Sequence, residues 1–178
     1  LINIERLTLA AMKPALNVTQ LQLLVPSSLL HLRNLDLGDN AISSWPNNAN
    51  FAFPALARLK LANNKISSVE DIEGLKHCPK LEMLDLFMNP VSSFATGNAE
   101  EDDKAKLLYR ASVFALLPSS LVVLDDCDKD GNEVELEDSD EDESDEEDDE
   151  EEEEETSEDD EPQPDDEGLP AKQKRMEE

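Results

Sequence analysis

The chain has 178 residues, with 44 Asp+Glu against 15 Lys+Arg and a formal net charge of −29. Such a balance repels DNA and anionic membranes and points to basic partners, namely histones, other Lys/Arg-rich proteins or cations. Residues 1–132 carry 16 of the acids and 12 of the bases, so the excess belongs almost wholly to residues 133–178, and only the first part has the composition of a globule. Cys78 and Cys127 give no disulfide framework, and no signal segment or long apolar run is present, which predicts a reducing, intracellular setting. The sequence starts at Leu1, without Met and inside what reads as a repeat, and is expected to lack an N-terminal capping element.

In chain order, a degenerate unit "IERLTLAAM" from Ile4 comes first. Asn17-Val18-Thr19 then matches a glycosylation sequon that an intracellular chain would not use. "LRNLDLGDNAIS" from Leu32, "LARLKLANNKIS" from Leu56 and "LEMLDLFMNPVS" from Leu81 align without a gap, with starts 24 and 25 residues apart. This is the leucine-rich repeat pattern and period. In each short strand the side chains alternate, so Leu35/Leu37, Leu59/Leu61 and Leu84/Leu86 are predicted to point inward and stack on neighbouring coils. Asn40, Asn64 and Asn89 turn the chain out of the strand, where an amide can satisfy backbone groups left unpaired by the bend. The expected fold is α/β: a leucine-rich repeat solenoid over residues 1–131, with a curved parallel sheet on its concave side.

The outward strand positions form a candidate partner face of Arg33, Asp36, Arg58, Lys60, Glu82, Met83 and Asp85, continued by Val122, Val123 and Asp125. Mixed charge with exposed Met83, Val122 and Val123 suits a protein partner better than nucleic acid. The next spacing, from Leu81 to Leu121, is 40 residues and contains a polar insertion, residues 95–106. An amphipathic helix carrying Leu108, Val113, Phe114 and Leu117 follows and is ended by Pro118.

After the strand at Leu121–Leu124, the residues Asp126, Asp128, Asp130, Gly131 and Glu137 fall on a calcium-loop pattern. The preceding element is a strand and loop position eight is Glu133, so the stretch reads as a polar exit and no dedicated metal site is expected. Residues 132–178 form the predicted disordered polyacidic tail. Its candidate histone-binding run is Asp140, Glu141, Asp142, Glu143, Asp145, Glu146, Glu147, Asp148, Asp149, Glu150, Glu151, Glu152, Glu153, Glu154 and Glu155. Such a polyanion competes with DNA for histone surfaces and binds with steep salt dependence. Ser139, Ser144 and Ser157 each have an acid three residues on, the spacing read by acidophilic kinases such as casein kinase 2. Lys172, Lys174 and Arg175, in "KQKR", resemble a short nuclear-localisation motif. His31 and His77 make no metal-ligand spacing, and no catalytic constellation is legible, so neither cofactor nor enzymatic activity is expected.

"YRASVFALLPSSLVVLDD" resembles the C-terminal cap of leucine-rich repeat proteins, Y-R-x-x-V-F-x-x-L-P-x-L-x-x-L-D, with one extra residue between Pro118 and Leu121. The resemblance implies a cap at about 107–131 in which Tyr109, Arg110 and Phe114 seal the last coil. Together with "CPKLEMLDLF" and the acidic run, the chain from Leu32 to Glu155 resembles the acidic leucine-rich nuclear phosphoproteins. That resemblance implies a monomer in the nucleus that shuttles to the cytoplasm. It also implies histone chaperoning, masking of histone tails from acetylation, and inhibition of protein phosphatase 2A, and an adaptor role is the third reading.

Overall fold

The computed structural model describes residues 3–24, 26–94 and 97–134. Five short strands, β1 (Arg6–Thr8), β2 (Asn34–Asp36), β3 (Arg58–Lys60), β4 (Met83–Asp85) and β5 (Val123–Leu124), form one parallel sheet in sequence order. The register places Leu7, Leu35, Leu59, Leu84 and Leu124 side by side. Leu35, Leu59, Leu84 and Leu124 are buried, as are Leu37, Leu61 and Leu86 after the strands. The degenerate first unit joins this sheet through β1, and its Leu7 is only half-buried.

Successive coils are joined by buried asparagines. Asn64 Nδ2 donates to the Leu61 and Ala62 carbonyls of its own coil at 3.0 and 3.1 Å and to Leu37 O of the preceding coil at 3.0 Å. Its Oδ1 accepts from Ile42 N at 3.0 Å. Asn40 repeats the arrangement with Leu9 O and Leu16 N, and Asn89 with Leu61 O and Ile66 N. The turn needs a left-handed residue before each asparagine, supplied by Asp39, Asn63 and Met88 with φ of 55°, 50° and 57°.

The returning side of the solenoid is irregular. α1 (Val18–Leu21) is capped by Asn17, which accepts from Gln20 N while Gln20 Oε1 accepts from Asn17 N. The sequon asparagine is thus part of a capping box. Trp45, Phe51 and Phe53 form a buried aromatic cluster with centroid separations of 5.4–6.0 Å. A 3-10 helix at Val69–His77 packs so close to the second coil that Gly74 lies against the Pro46–Asn47 backbone.

Helix α2 (Ala99–Leu116) differs from the expected cap helix in two ways. It begins inside the polar insertion, because Asn98 caps it and Glu100, Glu101 and Asp102 stand in the first turn, where the helix dipole favours acids. Its buried residues are Tyr109, Arg110 and Val113, whereas Leu108 is 69% exposed. Leu108 therefore lies off the apolar stripe. Tyr109 and Arg110, four and three residues before Val113, share its inward face instead.

A Cβ at Gly74 would sit 2.3 Å from Pro46 O, and backbone on that side cannot move as a flexible side chain would. Gly74→Ala is expected to destabilise the fold by about 1–3 kcal/mol, read in chemical denaturation as a lowered midpoint with an unchanged slope.

Candidate partner-binding face

Pairing in register turns the outward side chains of the sheet into columns. One runs Arg6, Asn34, Arg58, Met83, Val123 and the next Thr8, Asp36, Lys60, Asp85. The backbone ladder continues past the strands, with Ala11 N to Gly38 O at 3.0 Å, Asp39 N to Ala62 O at 3.0 Å and Asn63 N to Phe87 O at 2.8 Å. Gly38, Ala62 and Phe87 therefore make a further column along the edge of the face.

All seven predicted face residues lie on this side of the sheet or at its border. Arg33, Lys60 and Glu82 are exposed, while Asp36, Arg58, Met83 and Asp85 are half-buried. Val122 is 55% exposed as expected, but Val123 is 6% exposed, so the expectation that it offers free apolar surface is corrected. Phe87 and Met88, at 63% and 62% exposure, were not among the expected face residues. The period gave the signal: the position of Phe87 holds Gly38 and Ala62 in the two coils before it, so a bulky ring there has no counterpart to pack on.

The C-terminal end of the face gathers carboxylates. Asp85 Oδ1 accepts from Phe87 N at 2.9 Å, and Asp36 Oδ1 accepts from Gly38 N at 2.9 Å. Burial pushes the Asp85 carboxyl above its usual range, and the neighbouring Asp126 and Asp36 carboxylates add to this while Lys60 opposes it. Asp125 is also pushed up, first by burial. Its Oδ1 accepts from Leu86 N at 2.7 Å and its Oδ2 from the Tyr109 hydroxyl at 2.9 Å.

The three expected cap residues converge behind this end. Tyr109 packs against Phe94, with ring centroids 5.4 Å apart and planes tilted by 52°, and burial raises its phenol pKa. Arg110 is buried, donates to the Leu124 carbonyl at 3.1 Å and to the Asp128 carbonyl, and lies 5.9 Å from the Phe114 ring centroid.

The calcium-like stretch is occupied with its own turn. Asp128 Oδ1 accepts from Asp130 N and Asn132 N at 2.9 and 2.8 Å, and Oδ2 from Asn132 Nδ2 at 2.9 Å. The Asn132 side-chain bond leads the effects that hold Asp128 below the usual carboxylate range. Gly131 takes φ of 91°, and backbone hydrogen bonding runs on to Val134, which donates to Asp126 O at 2.9 Å. Among the described residues no group of three or more His, Cys, Asp or Glu is placed to hold a metal, and no helix is long and apolar enough to cross a membrane. Glu137, the acidic run from Asp140 to Glu155, Ser139, Ser144, Ser157, Lys172, Lys174 and Arg175 lie outside the described residues.

A leucine-rich repeat family model matches residues 28–91. The chain is 38% identical over 111 residues to a Caenorhabditis elegans protein, acidic leucine-rich nuclear phosphoprotein 32-related protein 1. The match covers 60% of this chain and 42% of the relative, so it spans less than half of the relative's length. With the five-stranded parallel sheet, these findings bear out both the leucine-rich repeat fold and the resemblance to the acidic leucine-rich nuclear phosphoproteins. The role they support is protein interaction.

Because its folded-state pKa is raised, Asp85 contributes stability that is full below the ordinary carboxyl value of 3.8 and is lost as pH rises through the raised value. Asp85→Asn removes that loss. The variant is expected to be more stable than the parent at pH 7 and to show a flatter stability profile between about pH 4 and pH 7, as measured by denaturation at a series of pH values.

Proposed function

We propose that the chain is a non-enzymatic, histone-binding nuclear protein, a histone chaperone or chromatin regulator, in which the acidic tail captures basic surfaces and the solenoid face sets partner choice. The observation that carries this reading is the segregation of charge: residues 133–178 hold 28 of the 44 acids and 3 of the 15 bases. A polyanion of that density releases counterions on meeting histone lysines and arginines, as DNA phosphates do. The nuclear assignment is supported by the name of the worm relative, a nuclear phosphoprotein, and by the "KQKR" at Lys172, Lys174 and Arg175. Phosphorylation of Ser139, Ser144 and Ser157 would add about −1.5 to −2 charge each to the tail. The domain division that goes with this reading is a solenoid over residues 1–131 followed by the tail.

The resemblance also supports a second reading, inhibition of protein phosphatase 2A by the folded part, with a leucine-rich repeat adaptor as the third. Dose-dependent loss of phosphatase activity would favour the second, and unchanged activity at saturating protein would remove it.

Truncation after Val134 keeps the hydrogen bonds of the exit turn among the described residues and removes the acidic run. The shortened chain is expected to lose roughly ten-fold or more in histone affinity at physiological salt and most of its salt dependence. Fluorescence titration with histone H3–H4 at a series of salt concentrations reads both. Equal affinity of the two forms would contradict the proposal.

A further inference from the structure

The edge column rises abruptly at the fourth coil. Gly38 and Ala62 leave a low floor beside Asp36 and Lys60, and then Phe87 projects with 63% of its surface exposed. Its backbone N–H donates to Asp85 Oδ1 at 2.9 Å, so ring and carboxylate spring from one short turn. Beside Asp85 stands Asp126, exposed and close enough to act on it electrostatically. Lys60 is the single basic residue in register with Asp36 and Asp85 in this column.

This combination has a specific chemical meaning. An exposed aromatic face attracts a cation through its quadrupole, and carboxylates beside it supply the counter-charge. An apolar surface alone would accept any hydrophobic side chain, and a carboxylate alone would be satisfied by water. Ring and acid together fit a side chain with an apolar stem and a cationic head, which is lysine or arginine. A half-buried carboxylate, Asp85, repelled by an exposed one, Asp126, gains further when a cation arrives.

We infer that the turn carrying Asp85, Phe87 and Met88, with Asp126 beside it, is a docking site for a single Lys or Arg side chain of a protein partner, flanked by apolar residues. The inference rests on the reading of the chain as a binder of basic proteins. It adds a second contact that recognises one basic side chain in its apolar context, where the tail responds to charge density alone. Asp85 then serves binding at the expense of the fold, since its raised folded-state pKa makes its ionised form unfavourable for stability at neutral pH.

The test uses the full chain and a capped probe peptide with one lysine between two leucines, alongside the same peptide with that lysine acetylated. Amide NMR shifts follow binding residue by residue, so weak attraction to the tail is read separately. The expected result is a saturable shift at Asp85, Phe87 and Met88, at least about ten-fold weaker with the acetylated peptide. Asp85→Asn is expected to abolish the shift while the variant gains stability, a pairing that a purely structural role would not produce. Phe87→Ser, an exposed change, is expected to weaken the shift with little effect on stability. Equal binding of the two peptides, or an undiminished response in Asp85→Asn, would overturn the inference. If histones bind and the peptide does not, only this inference fails. If the peptide binds as expected while histones do not, only the histone reading fails.

Discussion

One buried asparagine per coil is the constraint on which the rest of the solenoid depends. Each of Asn40, Asn64 and Asn89 spends its amide on carbonyls of two coils and its oxygen on an N–H of the coil before. Those backbone groups sit at a sharp turn in the interior, where leaving one unpaired costs about 1–3 kcal/mol. The amide thus fixes the distance and register between coils, and the parallel strands inherit that register. Where the asparagine is missing the structure changes. The first coil has Met12 in its place, 41% exposed, and the last coil turns through Asp125 and Asp126, both with positive φ, with Tyr109 bonded to the Asp125 carboxylate.

Fixed register is also what makes a surface out of isolated side chains. Asp36, Lys60 and Asp85 line up only because Leu35, Leu59 and Leu84 do. The tail needs no such order to act, since a polyanion attracts basic surfaces from any conformation, but charge alone discriminates poorly among basic partners. The solenoid supplies side chains at defined separations. Two kinds of recognition, one by charge density and one by geometry, can then act on the same partner.

The repeat made the strands, their inward leucines and the asparagine turns legible, because a period of 24 to 25 residues repeats both the apolar pattern and the turn chemistry. The sheet-face residues followed from alternation. The irregular side was not legible: Trp45, Phe51 and Phe53 obey no period, and the close approach at Gly74 depends on a neighbouring coil far along the chain. The start of the helix inside the polar insertion was not legible either, because Asn98 and acids in the first turn stabilise it there, not an apolar stripe. The exposure of Phe87 is masked in the sequence because the residue sits in an otherwise well-matched repeat. The departure there lies in size, and the pattern leaves that position open.

The central claim is that the asparagine amide holds neighbouring coils together. Ile42 N–H, whose hydrogen-bond acceptor is Asn64 Oδ1 at 3.0 Å, reports on it directly. Native-state hydrogen exchange should show Ile42 among the protected amides of the parent. In Asn64→Ala its exchange should quicken by more than the loss of global stability explains, with that loss reaching about 2–4 kcal/mol. Full stability with unchanged protection at Ile42 in the variant would contradict the account.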